Sequence, residues 1–263
     1  MDKKAISADP LAQLLDSGEE AELRYQHFFE ENPDYLLIPE LMHNHGLHLN
    51  AVISQFCIDP ALKCDFAFLT KSSMEWRLVL VEIERPYQQI FTKVRPPQPT
   101  EKMTKGLAQI SSWKTHMETG LEQVRNRLKP LLQPLGSNPI KVCYVLVIGR
   151  DSNDLTDAGR GWLRNQTSPD FKIYSYMSLV RYFLIRGKNS FPANVIRLDK
   201  HAFRFLKIGS APMDHLYFAQ PDELTFTSDD KLKLAGFNID SDRWERKEPW
   251  FKNPTGDWVF PYS

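Results

Sequence analysis

Two stretches of this chain, RLVLVEIE at 77–84 and KVCYVLVI at 141–148, are nearly unbroken aliphatic runs. A strand with one wet face alternates apolar and polar residues, so a run without alternation belongs to a strand covered on both faces. Such runs predict strands of a sheet held between layers of helix. The flanking sequence agrees. A helix is expected over 19–31, stopped by Asn32-Pro33 because the residue before proline is pushed out of the helical region. The segment 36–49 reads as irregular, and strands are expected at 51–58 and 63–69. Pro86 ends the first aliphatic run. The loop RPPQPT at 95–100 leads into a long helix over 100–128. Gly149-Arg150 closes the second run, followed by a helix at 153–165, a short strand at 171–174 and a helix at 177–186. This order predicts an α/β fold, a mixed sheet flanked by helices.

Three parts are expected: a polar lead at 1–18, a core domain at 19–187 and a C-terminal extension at 188–263. The extension is richer in Pro, Asp, Lys and Trp, with two short apolar stretches around Val195 to Leu198 and Phe203 to Ile208. Its end, DRWERKEPWFKNPTGDWVFPYS, mixes aromatics with charges. Such a tail suits docking on the core, an interface with a second subunit, or stacking on nucleic-acid bases, docking being the simpler reading.

Charge and cysteine usage narrow the function classes. Thirty-three basic and thirty-three acidic residues cancel, which removes a global basic field but leaves room for a locally basic groove. Cys57, Cys64 and Cys143 form no CxxC pair and lie in apolar runs, where free cysteine acts as a small buried hydrophobe in a reducing compartment. No stretch approaches the roughly 18–20 apolar residues that cross a bilayer. A soluble, cytoplasmic protein without a membrane partner is expected. His43, His45 and His48 invite a zinc reading, but no further cysteine or histidine stands at zinc-ligand spacing, so a loop of surface histidines is expected. Nucleotide-binding glycine fingerprints and a nucleophile elbow are absent from the sequence.

The chemistry is expected from three carboxylates. Glu82 and Glu84 are two residues apart on one strand and so point to the same side. If the preceding strand pairs as a hairpin, Asp65 lies opposite them. Burying several carboxylates together is costly unless a counter-charge is present. A hard divalent cation, Mg²⁺ or Mn²⁺, prefers such oxygen ligands. The same placement also suits carboxylates protruding into solvent at a strand end, and the residues alone leave both readings open.

The motifs FFEENPDYLL at 28–37, KCDF at 63–66, VEIERP at 81–86, IFTK at 90–93, AQISSW at 108–113 and VIGR at 147–150 occur in this order. Together they make the chain resemble the Shedu anti-phage defence nucleases, a branch of the PD-(D/E)xK superfamily, over about residues 22–184. The resemblance implies a restriction-endonuclease-like sheet and a metal-dependent endonuclease that hydrolyses DNA phosphodiester bonds in defence against phage or other foreign DNA. It further implies Asp65 and Glu82 as ligands of Mg²⁺ or Mn²⁺, and Gln109 beside them on the following helix. The superfamily pattern places a lysine two residues after the glutamate, where this chain has Glu84. Either Glu84 is a third ligand, or a lysine enters from elsewhere, Lys93 being preferred to Lys105. Lys105, Gln109 and Ser112 or Trp113 share a helical face, with Trp113 read as core. Glu22 and Glu30 are further candidates from the first helix. Arg85, Lys93, Arg95, Lys102, Lys105 and Lys114 supply local positive charge for DNA, with Arg150 either adding a phosphate contact or pairing with Asp151 or Asp154. A homo-oligomer is expected from the resemblance and the aromatic tail. The departure at Glu84 also supports the alternative of a catalytically silent module that binds nucleic acid or a protein partner.

Overall fold

The computed structural model describes residues 3–92, 98–151 and 155–262. Helices α1 (Lys3–Ser7), α2 (Pro10–Asp16) and α3 (Glu22–Glu31) precede three strands, β1 (Leu47–Cys57), β2 (Lys63–Lys71) and β3 (Trp76–Ile83). Helix α4 (Glu101–Leu128) then leads to β4 (Ile140–Val147), α5 (Asp157–Gln166), β5 (Phe171–Tyr174) and α6 (Tyr176–Arg186). The remainder supplies β6 (Asn194–Asp199), β7 (Ala202–Lys207), α7 (Met213–Phe218), β8 (Leu224–Thr225), α8 (Ser228–Gly236), α9 (Ser241–Glu245), β9 (Phe251–Lys252) and β10 (Trp258–Val259).

Eight strands form one mixed sheet in the order β5-β4-β3-β2-β1-β6-β7-β8. Strands β1, β2 and β3 form an antiparallel meander, and β3, β4 and β5 run parallel. The two aliphatic runs are therefore neighbours inside the sheet, second and third from its β5 edge, and covered on both faces as their composition requires. Each sheet face carries its own core. On one side α4 packs Met103, Ile110, Trp113, Met117, Val124 and Leu128 against Leu78, Leu80 and Leu146. Spacings of three and four put these residues on one stripe of the helix, and Thr100 caps it by accepting from the Met103 amide. The other side buries Tyr25, Phe29, Tyr176 and Leu179 of α3 and α6 against Val79, Val81 and Val145. A fully buried side chain of this size contributes about 1.5–3 kcal/mol, so these two layers dominate the fold.

Three features differ from the sequence reading. Strand β1 starts earlier than residue 51, at Leu47, and its backbone takes positive φ at Leu49, Asn50 and Gln55. His48 is consequently buried, with Nε2 on the Leu131 carbonyl at 2.8 Å, rather than on a surface loop. The apolar stretches near 195 and 203 become β6 and β7 and continue the same sheet, β6 lying parallel to β1. In the tail, Trp244 and Trp250 are buried while Trp258, Phe260 and Tyr262 stay exposed. All three cysteines are free, Cys64 and Cys143 buried and Cys57 half-buried. Among the described residues, no helix is long and apolar enough to cross a membrane.

Candidate active site

The β2–β3 register pairs Phe66 with Val81, which sets Asp65 beside Glu82 one step further on. Side chains on β3 alternate, with Leu78 and Leu80 on the α4 side and Val79, Val81 and Ile83 on the other. Glu82 therefore faces α4. There the Gln109 side chain favours its ionised form, drawing back part of the rise in its pKa. Asp65 is held at both oxygens: the Ile83 amide donates to Oδ2 at 2.8 Å and Gln55 Nε2 to Oδ1 at 3.2 Å. Glu84 follows the strand end, its amide donating to the Val147 carbonyl at 2.8 Å. The Tyr176 hydroxyl fixes the Glu84 carbonyl at 2.7 Å.

A glycine brings the helix close to this point. A Cβ on Gly106 would lie 3.1 Å from the Leu146 methyls, and Leu146 is the β4 residue paired with Glu82. The close approach occurs one helical turn before Gln109. It sets how near the amide comes to the carboxylate.

Burial pushes the carboxyls of Asp65 and Glu82 upward, and for Glu82 the negative charges of Asp65 and Glu84 add to the push. Glu22, at the start of α3, raises both further. Glu84 is also raised, by burial first, while Lys102, Arg85 and Lys105 draw it back. Carboxyls this close resist ionising together without a compensating charge, so burial and mutual repulsion both favour a proton on the Asp65–Glu82 pair. Among the described residues, no three Asp, Glu, His or Cys side chains form a ready-made metal cage.

Asp65, Glu82 and Gln109 are thus brought together, with Glu84 coupled to them electrostatically. Lys93 and Arg95 lie outside the described residues, as does Asp154. Lys105 is exposed and pairs with Glu101 at 2.6 Å. Lys114 pairs with Asp170 at 2.9 Å, and Arg85 lies 3.9 Å from Glu22. Arg150 turns to the N-terminal lead, donating to the Leu15 carbonyl at 2.9 Å and pairing with Asp16. Asp151 is taken by Arg181 at 2.5 Å. Trp113 is core. Of the two glutamates offered by α3, Glu22 bears on the site, whereas Glu30 is bound to Ser54 and Arg197. The sequence reading missed Gln55 as a partner of Asp65; it named Lys102 among the local basic residues but preferred Lys93 and Lys105, whereas Lys102 is the cation acting most strongly on Glu84. Gln55 was signalled only by a polar break in the apolar run of β1. Lys102 stands seven residues before Gln109, hence on the same helical face.

A comparison with curated proteins returned no match. A family model described as "Shedu protein SduA, C-terminal" matches residues 19–191. That span runs from just before α3 to the loop before β6 and contains every residue of the carboxylate site. The chain belongs to the Shedu SduA family.

Proposed function

We propose that the chain is a divalent-metal-dependent endonuclease that hydrolyses DNA phosphodiester bonds on a restriction-endonuclease-like sheet. The observation that carries this reading is the adjacent, partly buried pair Asp65 and Glu82, both held above the ordinary carboxylate range by burial. Hard oxygen donors that retain a proton for want of a counter-charge fit Mg²⁺ or Mn²⁺. Family membership supports a role in anti-phage defence.

Asp65 and Glu82 would hold the ion, and Glu84 offers a third oxygen donor from the strand end. The cation supplies Lewis acidity to the phosphate and to the attacking water. Gln109 orients Glu82, while Gln55 and the Ile83 amide fix Asp65. Lys102, on the Gln109 face of α4, is placed to offset negative charge from the phosphate, a task shared with Lys105 and Lys93 in this reading. The exposed aromatics Trp258, Phe260 and Tyr262 fit the homo-oligomer of the same proposal.

Glu84 itself favours a second reading, a silent module that binds nucleic acid without cutting it. Nicking of supercoiled plasmid with Mg²⁺ or Mn²⁺ separates the two. Native chain that nicks, with loss of nicking in Asp65→Ala and Glu82→Ala, is the expected result. Nicking that survives both substitutions refutes the site. Salt-sensitive DNA binding with no nicking under either ion establishes the silent module.

A further inference from the structure

A second polar region lies between α3 and the strands β1, β6 and β7. It is a cavity of about 490 Å³ lined by Gln26, His27, Glu30, Gln55, Arg197 and two leucines among its neighbours. Behind this lining, Ser54 Oγ donates to Glu30 Oε1 at 2.5 Å. Arg197 donates to both, at 2.8 Å to Glu30 and 3.0 Å to Ser54. Gln26 places its amide nitrogen on the same two groups, at 3.2 and 3.3 Å.

Two polar atoms of this buried network have no partner: Gln26 Oε1 and Arg197 Nε. Gln26 is 7% exposed, so solvent does not satisfy it. One atom is an acceptor in want of a donor and the other a donor in want of an acceptor. A phosphate offers acceptors alone and is repelled by Glu30 and by Glu31, which also lines the cavity. The edge of a nucleobase presents a donor and an acceptor side by side, is uncharged, and fits the volume. The cavity is also joined to the carboxylate site. Gln55 lines it and donates to Asp65 Oδ1 at 3.2 Å. Its backbone has φ of +52°, a left-handed conformation that a non-glycine residue holds only where its surroundings impose it, commonly near functional sites.

We propose that this cavity receives the base of a substrate-strand nucleotide next to the phosphate to be cut, read by Gln26 and Arg197 and linked to Asp65 through Gln55. The proposal rests on the phosphodiesterase reading above for the place of the cut, but its test needs no cutting. The full chain is titrated, with Ca²⁺ in place of Mg²⁺, with a short single-stranded DNA and with its abasic counterpart, which keeps every phosphate. The expected result is affinity about tenfold or more tighter for the base-bearing strand. Arg197→Met and Gln26→Leu remove that preference and leave abasic affinity unchanged. Should either variant fail to fold, the Gln26 and Gln55 side-chain amide signals in the native ¹H–¹⁵N spectrum decide: they move with the base-bearing strand and not with the abasic one. Equal affinities in the native chain, a preference that persists in both folded variants, or unmoved amide signals overturn the assignment. A base preference in a chain that never nicks plasmid defeats the hydrolytic reading, and with it the place of the cut, while the cavity's binding of a base stands. Nicking without a base preference does the reverse.

Discussion

Strands β3 and β4 lie side by side and pair residue for residue from Trp76 with Ile140 to Ile83 with Val147. They share the same covering layers, α4 on one face and α3 with α6 on the other. Yet at one matched position β4 has Leu146, fully buried beneath Gly106, and β3 has Glu82 beneath Gln109. The leucine is what such a location ordinarily selects. Burial raises the pKa of the glutamate, the charges of Asp65 and Glu84 raise it further, and Gln109 offsets only part of that rise. Packing alone gives no reason to keep a carboxylate there. Its neighbours Asp65, Glu84 and Gln109 indicate a site held at the expense of stability, as functional sites commonly are.

Leu146→Glu places an unpaired carboxylate under α4 and is expected to cost about 3–5 kcal/mol, measured by urea unfolding at neutral pH. A cost comparable to a surface substitution would show that this layer tolerates carboxylates, and Glu82 would lose its significance.

The raised carboxyls of Asp65 and Glu82 mean that the folded, cation-free protein holds protons which the unfolded chain releases near pH 4. Their contribution is therefore fully present below that range and is lost as pH rises through their elevated values toward neutrality and beyond. Glu82→Gln removes the largest part of this dependence. At pH 8 it is expected to be more stable than the native protein by about 1–3 kcal/mol, a margin that closes toward pH 4. Denaturant midpoints across that range measure it, and parallel curves for the two proteins would contradict the assigned burial.

The smallest effect concerns the helix above. Gly106→Ala gains up to about 1 kcal/mol of helix propensity, but its Cβ requires Leu146 to give by a few tenths of an ångström. Stability is expected to change by less than about 1 kcal/mol, while any plasmid nicking falls about fivefold to tenfold through displacement of Gln109. Unaltered nicking would remove Gly106 from the account of the site.

Much of this pairing was legible from the chain. Two nearly unbroken aliphatic runs read as strands covered on both faces, and the hairpin logic that set Asp65 opposite Glu82 is the register observed. Helix α4 begins and ends where its cap and apolar spacing place it. What the sequence withheld depends on distant partners. The short strands β6 and β7 lack a pattern of their own strong enough to join a sheet, and β6 finds its place only against β1, some 140 positions earlier. Glu22 and Glu30 are two helical turns apart on α3, so periodicity alone could not choose between them. The choice is made by Ser54 and Arg197, which capture Glu30. The left-handed backbone at Gln55 has no signature in a residue type that rarely adopts it. That turn alters the alternation of β1, so that Ile53 and Phe56, three residues apart, both pack on the α4 side.

The central claim is that Glu82 and Asp65 stand where they do to bind a divalent cation. Isothermal titration of the native chain with Mn²⁺ near pH 7.5, repeated in buffers of different ionisation enthalpy, measures binding and proton release together. The account predicts saturable binding with release of up to about one proton per ion, because the cation displaces the proton the pair retains. Both signals should be lost in Glu82→Ala. Absence of binding in the native chain, or equal binding and proton release in Glu82→Ala, would contradict it.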